Sequence, residues 1–230
     1  MTARLGLGTY RCLDVAEAAL MAASRGADWV DTAPNYAGGR AEASLAVALA
    51  AYPDLCVSTK VGFVPAGTRH IGVRAGALSA ADAERGHCLT PDYIAWQLAR
   101  SKLMLSRVPD LVFVHNPEHV CSDGEITGRL YNAFLALEEA CSQQTISAYG
   151  VATWRGFSSG LFDVPTLIEL ATRPAGRIIT CGPSSSRSPS STSRPSPRLS
   201  TDTARWPMPW MRDWRCSPPP RSTEVRSPAW

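Results

Sequence analysis

The stretch Trp29-Val30-Asp31-Thr32-Ala33-Pro34-Asn35-Tyr36 decides how the rest of the chain is interpreted. Trp29 and Val30 have the apolar character of a buried strand, and the carboxylate of Asp31 follows them directly. A Pro-Asn turn then delivers the phenol of Tyr36. Ligands and catalytic groups collect where strands of α/β folds end, so this acid and this phenol are candidate site residues. An aspartate before a turn is more often a cap or a turn former, so the later strands must decide the question.

Four further apolar segments also end in polar side chains, which makes five such strand ends: Thr9, Asp31, Lys60, His115 and Thr153. The segments between them carry apolar residues at helical spacing, which predicts about five βα units and a parallel sheet. Strands that are covered on both faces are almost wholly apolar, as these are. In a β/α barrel the carboxyl ends of the strands form one rim. The five polar residues are therefore expected to converge over one mouth.

Three features between the strands can be compared directly with the structure. Asp14 and Glu17 have the spacing of a capping box that begins a helix. Thr90-Pro91-Asp92 predicts another helix start, with an N-cap hydroxyl, an N1 proline and an acid in the first turn. The connection Val61–Leu89 is rich in Gly, Ala and Arg and is predicted to be a long loop with weak periodicity around Ser79–Glu84. Loops of this length are uncommon in compact domains unless they are functional or mobile.

Composition and charge argue against several classes of protein. No window approaches 18 consecutive apolar residues and the N-terminal residues do not resemble a signal peptide, so we expect a cytoplasmic protein without a membrane span. The seven cysteines contain no Cys-x-x-Cys pair, and no metal site is predicted. The net charge of +3 is unevenly divided: residues 182–230 carry eight arginines against three acids, or +5, which leaves −2 for residues 1–181. That mildly acidic body gives no reason to expect a nucleic-acid partner.

Five short motifs resemble the successive strand-end motifs of the aldo-keto reductases: Gly6-Leu7-Gly8-Thr9, Val30-Asp31-Thr32-Ala33 with Tyr36, Ser58-Thr59-Lys60, Val112-Phe113-Val114-His115 and Tyr149-Gly150-Val151-Ala152-Thr153. The resemblance covers roughly Leu5 to Phe157. It implies an α/β fold of the (β/α)8 TIM barrel type. It also implies a nicotinamide-dependent oxidoreductase whose catalytic tetrad is Asp31, Tyr36, Lys60 and His115.

The implied chemistry also makes sense on physical grounds. A tyrosine with its ordinary pKa of ~10 is a poor acid at neutral pH. Lys60 is expected to lower the pKa of Tyr36 by stabilising the phenolate, and Asp31 is expected to orient Lys60 through a charge-assisted hydrogen bond. His115 is expected to donate to the carbonyl oxygen, where negative charge develops. The expected substrate is a small aldehyde, ketone or sugar.

The resemblance implies NADP(H) as the cofactor, with NAD(H) left open, and it implies a set of contact residues: Gly8, Thr9, Tyr10, Asp31 and Thr153. Thr153 matches the family's serine that contacts the nicotinamide carboxamide. Two departures accompany it. Trp154 stands where an asparagine is usual, and Ala37–Ala41 make the turn before Glu42 longer than the family's Tyr-Gly-x-x-Glu.

The sequence changes character after Cys181. Residues 182–230 hold ten of the eighteen prolines, twelve serines and eight arginines, with almost no aliphatic residue. This composition predicts a disordered, low-complexity tail. The expected organisation is thus a partial TIM barrel over residues 1–181 and a Ser/Pro/Arg-rich tail over residues 182–230. The family places its last three strands and its adenosine-phosphate contacts in this part, so the chain reads as truncated or frame-shifted after about residue 175–181. We expect that loss to leave it inactive or weakly active.

Two other functions remain open at this stage. A protein that keeps the barrel only as a scaffold for interactions would explain the unmatched second half, although the intact tetrad speaks against it. A barrel of the aldolase type would use Lys60 as a Schiff-base nucleophile, since a strand-end lysine can serve in that way. Trapping of a substrate on Lys60 by borohydride would distinguish that chemistry from hydride transfer.

Overall fold

The computed structural model describes residues 5–119 and 124–175, in which strands and helices alternate. The five strands are β1 Gly6–Gly8, β2 Trp29–Asp31, β3 Cys56–Val61, β4 Leu111–His115 and β5 Ala148–Ala152. The helices are α1 Val15–Ser24, α2 Ala41–Ala51, α3 Arg69–Arg74, α4 Ala80–Arg85, α5 Pro91–Leu105, α6 Ile126–Ser142 and α7 Val164–Ala175. No helix in these two ranges combines the length and the apolar character needed to span a bilayer.

All five strands are parallel, and they lie side by side in chain order from β1 to β5. In this register Asp31 on β2 lies opposite Ser58 on β3, and His115 lies opposite Ala152. The carboxyl ends of the strands therefore meet along one edge of the sheet. This confirms the predicted architecture of five βα units, the first part of a β/α barrel.

The core lies between the sheet and the helices that follow each strand. One cluster joins α1 and α2 to the first strands through residues such as Val15, Leu45 and Val57, and a second joins α5, α6 and α7 to β4. All six residues of β3 are buried, although Ser58, Thr59 and Lys60 are polar. Buried polar groups require partners. Ser58 and Lys60 both donate to Asp31, at the site described below, whereas Thr59 donates to the buried carboxylate of Glu42 at 2.6 Å.

The predicted helix starts agree with the structure. The Asp14 carboxylate accepts a hydrogen bond from the Glu17 backbone N–H at 2.9 Å, so α1 is capped as expected. Helix α5 begins at Pro91, although the Thr90 side chain does not cap it and lies 3.1 Å from the Cys88 sulfur instead. The apolar stretch Arg177-Ile178-Ile179-Thr180 is consistent with the beginning of a sixth strand, but it lies outside the described residues, as does the predicted tail.

The prediction of an irregular connection between β3 and α5 was wrong, because this segment contains α3 and α4. Ser79 caps α4 by accepting from the Asp82 N–H, and Gly86 ends it with a φ of 73°. An antiparallel bridge pairs Phe63 with His87 and closes the segment on itself. Helices of six residues are too short to give a clear period. The weak periodicity around Ser79–Glu84 coincides with α4, whereas α3 gave no such signal.

Candidate active site

Lys60 and Asp31 form a partly buried ion pair at the centre of the rim. The Lys60 ammonium donates to Asp31 Oδ2 at 2.6 Å and to the Thr32 carbonyl oxygen at 2.8 Å. Only 6% of the lysine side chain is exposed, against 36% of the aspartate side chain. Two acceptors thus hold the ammonium where β2 and β3 end. A charge-assisted bond of this kind is among the stronger hydrogen bonds in proteins.

Tyr36 enters the site from the turn after β2. That turn, Tyr36–Gly39, has positive φ values at Ala37 (49°) and Gly38 (65°), which accommodate the extra residues noted in the sequence. The Lys60 Nζ lies over the tyrosine ring, 4.9 Å from its centroid. On its other sides the ring is 6.1 Å from the His115 ring, centroid to centroid, and 5.1 Å from the ring of Tyr10.

A cleft of about 300 Å³ opens on these groups. Three of the four predicted tetrad residues line it, and Asp31 lies behind Lys60. The opposite wall comes from the end of β5 and the loop that follows, where Trp154 is 77% exposed. The full lining consists of Tyr36, Lys60, His115, Asn116, Val151, Ala152, Thr153, Trp154 and Phe157.

The pKa of Tyr36 is shifted in the direction opposite to the one expected from the sequence. Burial raises the pKa of Tyr36 to about 12, and the negative charge of Asp31 and the neighbouring phenol of Tyr10 act in the same direction. The expected lowering of the tyrosine pKa by Lys60 is therefore not seen in this arrangement. In this arrangement the burial of the phenol and the negative charge of Asp31 outweigh the lowering expected from Lys60.

Burial is also the largest cause of the pKa shifts of Lys60 and His115. It lowers the pKa of Lys60, although the charge and the hydrogen bond of Asp31 oppose this effect. It lowers the pKa of His115 to about 3, and the nearby charge of Lys60 and the ring of His87 add to the shift. His115 is consequently a neutral imidazole at physiological pH. A neutral imidazole can still donate one N–H bond, which is what the proposed role requires.

The three residues proposed as cofactor contacts at the end of β1, Gly8, Thr9 and Tyr10, differ in burial and in the groups that they contact. The buried hydroxyl of Thr9 lies 2.9 Å from the Asp31 carbonyl oxygen and 3.0 Å from the Thr32 hydroxyl, so it links β1 to β2. Gly8 is exposed, and a Cβ added there would meet no atom within 4 Å. Tyr10 is 52% exposed and packs against Tyr36.

Thr153 lines the cleft, but its hydroxyl is already engaged. It donates to Glu118 Oε1 at 2.8 Å and accepts from the Gly156 N–H at 2.8 Å. The same carboxylate oxygen accepts the backbone N–H groups of Trp154 and Arg155, both at 3.0 Å. Glu118 thereby ties the loop after β4 to the loop after β5.

Two residues that the sequence did not indicate support His115 from behind. The His87 Nε2–H donates to the His115 carbonyl oxygen at 2.8 Å, and the Phe63 ring lies 4.8 Å from the His115 ring and 5.0 Å from that of His87. Gly62 makes room for His87, because a Cβ there would lie 2.8 Å from the His87 Nε2. These residues lie in the connection between β3 and α5, for which the sequence predicts a loop. Their only sequence signal was its unusual length.

The described parts of the chain contain no group of three or more His, Cys, Asp or Glu residues that could hold a metal ion. They do contain a buried, unpartnered amide oxygen at the cleft, the Oδ1 of Asn116. A buried polar atom without a partner is uncommon, and at a cleft it is suited to a ligand donor.

Comparisons with known proteins agree on one family. A model described as the aldo/keto reductase family matches residues 2–157. No curated protein is matched. Among solved structures, that of Gox0644 in its apo form gives a TM-score of 0.50 at 19% identity, over 75% of this chain and 50% of the other. The aldo-keto reductase AKR11C1 from Bacillus halodurans, in its holo form, gives a TM-score of 0.50 at 21% identity, over 68% and 48%. The chain thus spans about half the length of these structures.

Proposed function

The chain belongs to the aldo/keto reductase family, and on that premise we propose that it carries the site of an NADP(H)-dependent oxidoreductase acting on a small aldehyde, ketone or sugar carbonyl. The observation that carries this proposal is the grouping of Asp31, Lys60, Tyr36 and His115 at the rim of the sheet. These residues come from three different strands and one turn. Their grouping around one cleft supports a shared chemical role.

The cleft has features that fit the nicotinamide end of the cofactor. Thr153 and Asn116 line it, and the unpartnered Asn116 Oδ1 suits a carboxamide N–H. Gly8, Thr9, Tyr10 and Asp31 remain proposed contacts. When bound, the cofactor would supply the hydride, and the protein's part is to hold the carbonyl carbon within reach of it. NADP(H) is preferred here on family grounds.

The proton is proposed to come from Tyr36. With its pKa raised to about 12, the phenol stays protonated at any physiological pH, so the proton is always available. An alkoxide is far more basic than a phenolate. Transfer from Tyr36 to the oxygen that becomes an alkoxide is therefore favourable even with this raised pKa. General acid catalysis of this kind contributes ~10²–10⁴-fold.

The other two polar groups are proposed to prepare that transfer. Lys60, held by Asp31 and the Thr32 carbonyl, would stabilise the phenolate that remains after the proton has left. His115 would donate an N–H bond to the substrate oxygen where negative charge develops, as an oxyanion hole does. His115 is neutral, so it can donate without repelling the Lys60 ammonium.

Oxidation of NADPH against a panel of small aldehydes, ketones and sugars is the test of this proposal. Weak consumption that depends on both the protein and the carbonyl compound, with the alcohol as product, is the expected result, because residues 182–230 show no match to the family's adenosine-phosphate contacts. No consumption by pure protein at saturating NADPH would contradict it. Borohydride trapping of an aldehyde on Lys60 without NADPH would favour the aldolase-type alternative instead.

A further inference from the structure

The side chains of Trp29, Ser58, Asp31 and Lys60 form a continuous row of hydrogen bonds on one face of the sheet. Trp29 and Asp31 are two residues apart on β2, and Ser58 and Lys60 are two apart on β3, so each pair points to the same face. The Trp29 Nε1 lies 3.0 Å from the Ser58 Oγ, and that oxygen lies 2.7 Å from Asp31 Oδ1. Lys60 occupies the other carboxylate oxygen, Oδ2, at 2.6 Å.

The direction of each bond in this row is determined by chemistry. An indole N–H can only donate, so Ser58 must accept from Trp29. The single hydroxyl proton of Ser58 is then directed to Asp31, because an ionised carboxylate can only accept. Ser58 is 1% exposed, so water does not compete for its hydroxyl. The carboxylate of Asp31 is therefore held at both oxygens, by Ser58 on one side and by Lys60 on the other.

We propose that Ser58 is a positioning residue of the active site, which fixes the rotation of the Asp31 carboxylate and through it the place of the Lys60 ammonium over Tyr36. This inference rests on the proposed function for its meaning in catalysis. Its geometric content can be tested without any reaction. Asp31 is 36% exposed, so a carboxylate released by Ser58 could turn one oxygen to water. The charge-assisted hydrogen bond between Lys60 and Asp31 would then weaken.

Lysine labelled with ¹³C at Cε gives a direct readout, because Lys60 and Lys102 are the two lysines of the sequence. A Lys102→Arg variant assigns the two signals, and a pH titration gives a midpoint for each. In Ser58→Ala we expect the Lys60 midpoint to fall by about 0.5 to 1 pH unit, since the opposing pull of Asp31 weakens. The Lys102 signal is the internal control, because Lys102 lies on α5 and not in this row of hydrogen bonds.

Two further variants separate positioning from general loosening of the fold. Ser58→Thr keeps the hydroxyl and should restore the wild-type Lys60 midpoint. Trp29→Phe removes the donor into Ser58 and leaves the Ser58 hydroxyl in place, so it should shift Lys60 less than Ser58→Ala does. If Ser58→Ala does not fold, the Trp29→Phe and Ser58→Thr proteins still give the comparison: a small fall in the first and none in the second.

An unchanged or raised Lys60 midpoint in folded Ser58→Ala would overturn the inference. So would a shift in Trp29→Phe as large as that in Ser58→Ala, or a shift in Ser58→Thr. If the protein reduces carbonyl compounds, Ser58→Ala should also lower kcat and leave the KM for the carbonyl compound unchanged. A protein without any reductase activity would contradict the proposed function, and the Lys60 titration would still decide the role of Ser58.

Discussion

The Lys60 ammonium lies over the face of the Tyr36 ring, 4.9 Å from its centroid. A cation in this position is attracted by the ring itself, whether or not the hydroxyl is present. The attraction of Lys60 for the ring and its action on the phenolic oxygen are therefore separable. Substitutions that keep the ring and remove the oxygen should leave the local structure intact.

Tyr36→Phe should abolish carbonyl reduction and leave the fold intact. The ring, its contact with Lys60 and its packing against Tyr10 are all retained, and only the acidic proton is lost. We expect a fall in kcat of ~10²–10⁴-fold with little change in melting temperature. Steady-state NADPH oxidation measures the fall, and Tyr52→Phe at the end of α2 is the control. Activity within a few-fold of the wild type would remove Tyr36 from the proposed mechanism.

Acid should destabilise the protein through His87. Burial lowers the pKa of His87 to about 4, whereas an unfolded histidine titrates near ~6.5. Between these values the unfolded chain binds more protons than the folded chain. The contribution of His87 to the free energy of unfolding is therefore fully present above pH ~6.5 and is lost as the pH falls toward 4. The expected loss between pH 7 and pH 5 is on the order of 2 kcal/mol from this residue.

Urea unfolding at several pH values measures this slope. His87→Gln replaces the imidazole by an amide that does not titrate, so the dependence on pH should become shallower by about one proton. His70→Gln, at an exposed position on α3, is the matched control and should keep the wild-type slope. Equal slopes in all three proteins would show that His87 is not protonated on unfolding in this range.

Glu118→Ala should loosen the loop that forms one wall of the cleft. Burial by itself would raise the pKa of Glu118, but the N–H groups of Arg155 and Trp154 and the Thr153 hydroxyl outweigh it and hold the pKa below its ordinary value. Those three donors lose their common acceptor in the variant. Amide hydrogen exchange over residues 153–157 should accelerate, as measured by mass spectrometry. Glu125→Ala, which breaks only the surface pair with Arg129, should leave that loop unchanged.

The strands could be predicted from the sequence, because parallel strands buried on both faces are nearly continuous apolar runs. Asp31, Lys60 and His115 stood out because each interrupts or ends such a run. The hydrogen-bond partners of these residues could not be predicted. Ser58 meets Asp31 only through the register of β2 and β3, and His87 reaches His115 through a bridge inside a segment without clear periodicity. Side-chain contacts of this kind depend on how segments far apart in the chain pack together, and the local pattern of one segment does not show them.

Cofactor affinity should be low for this chain. The cleft offers contacts for the nicotinamide end, whereas residues 182–230 show no motif that matches the family's adenosine-phosphate contacts. We expect a Kd for NADPH nearer to 1 mM than to 1 μM, a difference of about 4 kcal/mol in binding free energy. Quenching of Trp154 fluorescence reports binding at the cleft, with Trp154→Phe as the control. Tight binding by this chain would mean that other residues supply the missing contacts.

The change of composition near Cys181 makes a prediction about the coding DNA. A sequence with the apolar periodicity of strands and helices is followed, within a few residues, by one rich in Ser, Pro and Arg. Such a change is expected when the reading frame shifts in a GC-rich coding sequence. One of the other two frames after about codon 175 should encode apolar strands alternating with helices. A chain expressed with that frame restored should bind NADPH more tightly than the chain described here. If neither frame shows such a pattern, the Ser/Pro/Arg-rich segment is a genuine part of the protein.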